Sequence, residues 1–421
     1  MTLKKITTEA VANKRVLLKV DYNIPTKTDR HNKVVTDDTR LRVTIPTLEF
    51  LIKNKAKIIL TSHFGRPSGQ IVEALRMDPI AKQLEKILGK KIQKINVPAG
   101  PEAETAVAQL QPGEILMLEN SRFHPGEKKN DLNFAKDLAK LADIYVNDAF
   151  SSAHRAHSTV VGITKYLPAY AGFALAEEVE MLTNLTQKPK RPFVAIVGGA
   201  KISDKVEAIR NLSKVADVVL VGGGVANNFL KAEGLDVFHS YLEDKPADTK
   251  KEHISFVAVA EELIKDTKTE KMMLHGYIPL PKIIYPSDVV AADDMDHPKE
   301  KKIIDLSDGT DDERRKTWMY LDIGPKTERL FRDIILEAQT IFWNGPMGVF
   351  EQPDFASGTK AIATAIAKSS AQTIIGGGDT ISAVHHLGLA DRFDYISAAG
   401  GAALEFLGGK VLPGLEPLLR K

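Results

Sequence analysis

Phe193-Val194-Ala195-Ile196-Val197-Gly198-Gly199-Ala200-Lys201-Ile202-Ser203-Asp204-Lys205 is the stretch whose reading decides the fold. Five apolar, partly β-branched residues suit a strand buried on both faces, and two glycines permit a tight turn. The next residues are expected to open a helix, with Lys201 and Lys205 one turn apart on the same face. A helix start offers free N–H groups to an anion, so this is the layout of a phosphate cradle. The same residues also fit an ordinary strand-to-helix turn with surface lysines. The rest of the chain has to choose between the two.

The alternation continues outward in both directions. Upstream, strands are expected at Arg15 to Val20, Lys57 to Thr61, Glu114 to Leu118 and Ile144 to Asn147. Thr44 to Asn54, Asp78 to Leu88 and Asn133 to Ala142 have helical spacing between them, with Asp78 and Pro79 as cap and first turn. Pro168 to Pro192, with a helix at Glu177 to Leu185, reads as a connection. Downstream, strands are expected at Phe193 to Val197, Val218 to Val221, Ile283 to Tyr285 with Val289 to Ala291, Ile341 to Trp343 and Gln372 to Ile375. From Lys265 to Met319 the pattern degrades, and charge-rich pieces such as Asp311 to Lys316 predict long surface loops. Alternating strands and helices predict an α/β fold of two doubly wound parallel-sheet (Rossmann-like) domains facing each other across a cleft.

Composition limits the function classes. The chain has 421 residues, enough for two domains of roughly 200 residues each. Its net charge of +2 supplies no bulk field for nucleic acid or an anionic membrane, so local clusters must carry any anion binding. Without cysteine there is no disulfide framework, thiolate nucleophile or cysteine-based zinc site. Met1 to Lys14 lacks the apolar run of a signal peptide and no apolar stretch reaches 18 residues, so a cytoplasmic protein is expected.

Ligands of doubly wound sheets bind beyond the carboxyl ends of the strands. In the first half those places hold Asp21 and Asn23, His63 and Arg66, Arg122, then His154, Arg155 and His157, while Arg40 precedes a helix. Singly, each arginine reads as a solvated surface group and each histidine as structural. Together their guanidinium forks suit phosphate and carboxylate, and Asp21 and Asn23 suit a hydroxyl. The second half is glycine-rich instead: Gly198-Gly199, Gly222-Gly223-Gly224 and Gly376-Gly377-Gly378-Asp379-Thr380 each follow a strand. Three such runs predict a backbone surface approached by phosphates. Asp379 is either a helix cap or a ligand of nucleotide-bound Mg²⁺, and Asn344 and Glu351 are placed to bond sugar hydroxyls. A Walker A sequence and a spaced dinucleotide fingerprint are both absent from the chain.

Specific motifs join these positions. They are Val20 to Pro25 (VDYNIP), Ser62 to Pro67 (SHFGRP), Leu118 to Phe123 (LENSRF), Asn147 to Phe150 (NDAF), Ala153 to Ser158 (AHRAHS), Gly198 to Lys201, Leu321 to Pro325 (LDIGP), Trp343 to Glu351 and Gly376 to Thr380. Over nearly the whole length the chain closely resembles the phosphoglycerate kinase family. The resemblance implies reversible phosphoryl transfer between 1,3-bisphosphoglycerate and ADP, giving 3-phosphoglycerate and ATP, in glycolysis and gluconeogenesis. It implies that Asp21, Tyr22, Asn23, Arg40, His63, Phe64, Gly65, Arg66, Arg122 and Arg155 bind phosphoglycerate. It assigns Lys201, Lys205, Asn344, Glu351, Gly377, Gly378, Asp379 and Thr380 to the nucleotide, Asp379 to Mg²⁺, and Arg40, Lys201 and Gly378 to catalysis. By domain it implies a phosphoglycerate-binding domain at 1–170, a hinge helix and linker at 171–192, and a nucleotide-binding domain at 193–404. Residues from about 405 to 421 would pack back on the first domain. With a carboxylate nucleophile, no general base is needed; in-line positioning, surrounding charge and domain closure would carry the reaction. A monomer acting on these small molecules is the expectation.

Two places depart from the family pattern. Tyr320 stands where a glycine usually precedes Leu-Asp-Ile-Gly-Pro near the adenine. Ser397-Ala398-Ala399-Gly400-Gly401-Ala402-Ala403 lacks a hydroxyl and one glycine of the usual run, and Ala399 is expected to resist a positive φ. The rival readings are a kinase for a related carboxylate and a catalytically weak nucleotide-binding homologue.

Overall fold

The computed structural model describes residues 1–29, 32–244, 255–307, 317–397 and 399–420. They group into two compact units, Met1–Thr183 with Val411–Lys421, and Asn184–Lys410. The division falls inside one helix, Phe173–Gln187. In the first unit the terminal residues are tied to the start of the chain: Leu3 pairs with Leu419, and Gly414 N–H donates to the Ala153 carbonyl at 2.8 Å.

The first unit holds a six-stranded sheet in the order Ile92–Lys94, Ile115–Met117, Lys57–Thr61, Arg15–Lys19, Ile144–Asn147, Ala169–Ala171. All its pairings are parallel. Val16 and Leu18 pack on one face of the sheet and Leu17 on the other, which is why this central strand reads as a continuous apolar run. Three-residue edge strands such as Ile92–Lys94 are too short to leave a periodic signal. The helix at Asp78–Leu88 takes Met77 as its cap; Asp78 is its first residue rather than the cap.

The second unit repeats the design with the order Ile283–Ile284, Val218–Val221, Phe193–Val197, Thr340–Asn344, Gln372–Gly376, Tyr395–Ser397, again all parallel. Phe193 to Val197 are fully buried, as a strand at the centre of such a sheet must be. The expected long loops between Lys265 and Met319 give way to strands. A hairpin pairs Lys271–Leu274 with Ile278–Pro281, and Asp288–Ala292 lies between Lys301–Asp305 and Met319–Ile323 in an antiparallel sheet. The hairpin reverses through His275 and Gly276, both at positive φ, and Glu337 accepts the His275 N–H at 2.9 Å. Met272, Leu274 and Leu280 bury its inner face, so it supplies core that the charge-rich composition concealed. Asp311 to Lys316 and Ala398 lie outside the described residues.

Candidate active site

In the first unit the charges collect where the sheet changes direction. From Arg15–Lys19 the chain fills one side of the sheet and then returns to the other, which leaves a crevice at the carboxyl ends. Asp21 is the hub of that crevice. Its Oδ2 accepts from Arg40 Nη1 at 2.7 Å and from the Ser151 hydroxyl, its Oδ1 accepts from Asn23 N–H at 3.1 Å, and His63 Nδ1 stands 3.9 Å away. Burial alone would raise the Asp21 carboxyl, but His63, Arg40, Ser151 and Asn23 together hold it below its usual range. Burial drives His63 the other way, well below an ordinary imidazole, against the pull of Asp21. Asn23 Oδ1 accepts from Gly65 N–H at 2.9 Å, and Arg122 Nη1 donates to the Gly65 carbonyl at 2.7 Å. Arg122 is only 6% exposed and its Nε has no hydrogen-bond partner. An orphan buried donor costs about 1–3 kcal/mol, a cost that an anion bound there would offset. Arg155 is half-buried, with Nε donating to His154 Nε2 at 3.0 Å, and Arg66 is exposed.

In the second unit the equivalent change of direction lies between Phe193–Val197 and Thr340–Asn344. The loops leaving these strands touch: a Cβ on Gly198 would strike the Pro346 carbonyl, and one on Gly345 would strike the Gly198 carbonyl. Gly199 N–H donates to Pro346 at 2.7 Å and Gly223 N–H to Met347 at 3.0 Å. The opening stretch is therefore no helix-start cradle. Its N–H groups are partly spent on the neighbouring loop, and its helix begins only at Val206. Lys201 is exposed and outside that helix, and Lys205 is its cap residue. A true helix start follows Gln372–Gly376. Gly377 turns at φ 92 into the helix Gly378–His386, whose first internal bond is Ile381 N–H to the Gly377 carbonyl. The N–H groups of Gly378, Asp379 and Thr380 precede that bond and have no carbonyl within the helix to take them.

Side chains complete this site. Lys205 Nζ donates to Asn344 Oδ1 at 3.0 Å, while Asn344 Nδ2 is buried without a partner. Burial lowers the Lys205 pKa against the opposing charges of Asp204 and Asp379. A cavity of about 370 Å³ opens beside them, lined among others by Gly199, Gly223, Tyr320, Asp322, Glu351 and Asp379. Asp322 accepts N–H bonds from Gly358 at 2.8 Å and Ile323 at 2.9 Å, yet burial pushes its carboxyl up to about 8. Tyr320 donates its hydroxyl to the Asp236 carbonyl at 3.0 Å and meets Phe238 edge to face.

Comparison with known protein families matches residues 6–410 to Phosphoglycerate kinase. The chain belongs to the phosphoglycerate kinase family. It is 46% identical over 421 residues to a phosphoglycerate kinase of Moorella thermoacetica, covering 100% of this chain and 99% of that one. To the enzyme of Pelotomaculum thermopropionicum it is 44% identical over the full length of both. The phosphoglycerate kinase structure from Coxiella burnetii superposes with a TM-score of 0.79 at 35% identity, covering 97% of this chain and 96% of that one. That from Pyrococcus horikoshii gives 0.78 at 32%, with the same coverage.

Several of the expected residues also make bonds within the protein. Tyr22 is fully buried, with its hydroxyl bonded to Thr44 at 2.8 Å and its N–H donating to Ser62 Oγ at 2.9 Å. Phe64 is locked to Asn120 through both its N–H and its carbonyl. Gly65, at φ 64, bonds Asn23 and Arg122 with its own two groups. The Thr380 hydroxyl accepts from Gly345 N–H at 2.6 Å. The left-handed turn before the helix Gly401–Leu407 falls on Gly400, at φ 54, a residue that takes it without strain. The sequence offered little sign of Ser151, one of two adjacent serines in the segment after Ile144–Asn147, which donates to Asp21.

Proposed function

We infer that this chain transfers a phosphoryl group reversibly between 1,3-bisphosphoglycerate and ADP, giving 3-phosphoglycerate and ATP. It is a phosphotransferase with a carboxyl group as acceptor, as membership in its family implies. The observation that carries the reading is the buried, half-satisfied Arg122 beside Asp21, Asn23, Arg40 and His63. The unpaired Nε edge of Arg122 suits a phosphate or carboxylate oxygen of phosphoglycerate, and Asp21 with Asn23 suits its hydroxyl. Arg66 and Arg155 add charge at the rim. On the nucleotide side, the Gly378 and Asp379 N–H groups, Lys205 and Asn344 are suited to the phosphates, and Glu351 to the sugar.

The acceptor carboxylate of 3-phosphoglycerate is ionised at neutral pH, so attack needs no general base. The protein's work is to align the groups and to offset charge on the transferring phosphoryl, through Arg40, Lys201 and the Gly378 N–H. Among the described residues no three His, Asp or Glu side chains converge to hold a metal alone. Asp379, exposed beside the glycine run, fits Mg²⁺ held by one carboxylate together with phosphates and water, where it would neutralise phosphate charge. We read the protein as a cytoplasmic monomer without nucleic-acid partners. Among the described residues, no helix is long and apolar enough to cross a membrane. A coupled assay with 3-phosphoglycerate and MgATP tests the function. Turnover is expected; nucleotide binding without turnover, or preference for another carboxylate, would overturn it.

A further inference from the structure

Asn120 makes more hydrogen bonds than its place in the chain requires. It precedes the turn Ser121–Phe123, and its Oδ1 accepts from the Arg122 N–H at 3.1 Å, as the cap of such a turn does. Three further bonds leave the turn. Oδ1 also accepts from the Phe64 N–H at 3.1 Å, while Nδ2 donates to the Phe64 carbonyl at 2.7 Å and to the Leu75 carbonyl at 3.0 Å. The side chain is fully buried, and both donor hydrogens and both acceptor sites of the amide are engaged. Its backbone is held as well. The Asn120 N–H donates to Glu119 Oε1 at 2.9 Å, and the buried Glu119 carboxylate is paired with Arg76 at 3.0 Å and Lys94 at 2.7 Å.

Both ends of Arg122 depend on this amide. Its backbone N–H is bonded to Asn120 directly. At the far end, Arg122 Nη1 donates to the carbonyl of Gly65, which follows Phe64, and Asn120 holds the N–H and the carbonyl of Phe64. Leu75, bonded to the same Nδ2, braces this point: a Cβ on Gly65 would come within 2.6 Å of Leu75 Cδ2. An arginine anchored at its backbone and at Nη1 has little rotamer freedom left, so its unpaired Nε keeps one direction. The two loops have other ties, since Ser121 N–H donates to the Ser62 carbonyl at 3.0 Å and Gly69 N–H to the Arg122 carbonyl at 3.2 Å. Loss of the amide would therefore free the Phe64–Gly65 peptide without parting the loops.

We propose that Asn120 is a positioning residue for phosphoglycerate: without touching it, the amide fixes both anchor points of Arg122 and so aims the unpaired Nε edge at the bound anion. The inference rests on reading this crevice as the phosphoglycerate site.

Asn120→Ala removes all four bonds and leaves Arg122 in the chain. The Michaelis constant for 3-phosphoglycerate is expected to rise about tenfold, because a misdirected charge-assisted hydrogen bond forfeits most of its strength, with that for MgATP within about twofold of the parent. Calorimetric titration with 3-phosphoglycerate alone should give the same ranking without turnover. Arg122→Met separates aiming from general loosening. With no guanidinium left to aim, adding Asn120→Ala to Arg122→Met should weaken phosphoglycerate binding by no more than about twofold. The same loss in both backgrounds, equal losses for both substrates, or unchanged phosphoglycerate affinity in Asn120→Ala would overturn the proposal. If Asn120→Ala does not fold, Asn120→Ser, which keeps a hydroxyl for the Arg122 N–H but is too short to hold Phe64 and Leu75, replaces it in the same cycle with the same deciding outcomes. A parent chain that binds another small carboxylate but not 3-phosphoglycerate would overturn the crevice reading instead, and the same cycle titrated with that carboxylate still decides the role of Asn120.

Discussion

At the scale of single residues, the charges of the first unit are organised around the Asp21 carboxylate, which accepts from Arg40, Ser151 and Asn23. Asp21, Asn23 and Arg40 are joined by hydrogen bonds, Arg122 reaches them through Gly65, and His63 stands 3.9 Å from Asp21. Tyr22 and Phe64 sat in the same motifs yet point into the core, because alternate positions along an extended chain face opposite ways. Arg40 is the sharpest case for test. Its guanidinium is held by Asp21 and the Asn23 carbonyl, so it is aimed at the crevice before any ligand arrives. Arg40→Ala should lower kcat by about 10²–10³. The fold should persist, since Asp21 keeps Ser151 and Asn23 as donors. Near-normal turnover with unaltered circular dichroism would remove Arg40 from the reaction.

At the scale of elements, the central strands were readable because burial on both faces leaves an unbroken apolar run. Helix starts were less readable, since they depend on which N–H groups a neighbouring loop has already taken. The turn after Gly198 and Gly199 looked like a helix start and is not, whereas the one after Gly377 is. The helix Phe173–Gln187 depends on a contact invisible in sequence: Asp148 accepts the Leu175 N–H at 3.0 Å from a buried position. Burial raises that carboxyl to about 6, partly offset by this bond. In the unfolded chain the same group titrates near 3.8. Between these values the folded state keeps a proton that the unfolded state releases, so this group's contribution to stability falls as pH rises from about 4 to 6. Asp148→Asn should therefore become more stable relative to the parent across that window, by about 2–3 kcal/mol. Urea unfolding at pH 4, 5, 6 and 7 measures it, and a constant difference would refute it. Circular dichroism should report, because Trp318 and Trp343 both belong to the other unit.

At the scale of the whole molecule, the chain passes between two α/β units within the helix Phe173–Gln187 and again after Lys410, and the proposed substrates are divided between the units. In-line transfer requires phosphoglycerate and nucleotide to meet with water excluded, so closure is expected to depend on both ligands. Small-angle X-ray scattering should record a smaller radius of gyration with 3-phosphoglycerate and a non-transferring nucleotide together, and little change with either alone. An unchanged radius with both bound would count against a closing mechanism.

The sequence by itself determined the α/β alternation, the strands of both sheet centres, the chemical type of each half and the family. Those properties are local: they live in short apolar runs, glycine runs and contiguous motifs. Only the tertiary structure decided which groups are spent and which are left for a ligand. Ser151 reaches Asp21 across 130 positions of sequence and Lys205 reaches Asn344 across 139. Burial, which leaves Arg122 Nε unpaired, exists only once such distant segments have packed together. The run from Phe193 to Lys205 carries both lessons, since its strand follows from composition and its loop from the Gly345 turn that packs against it.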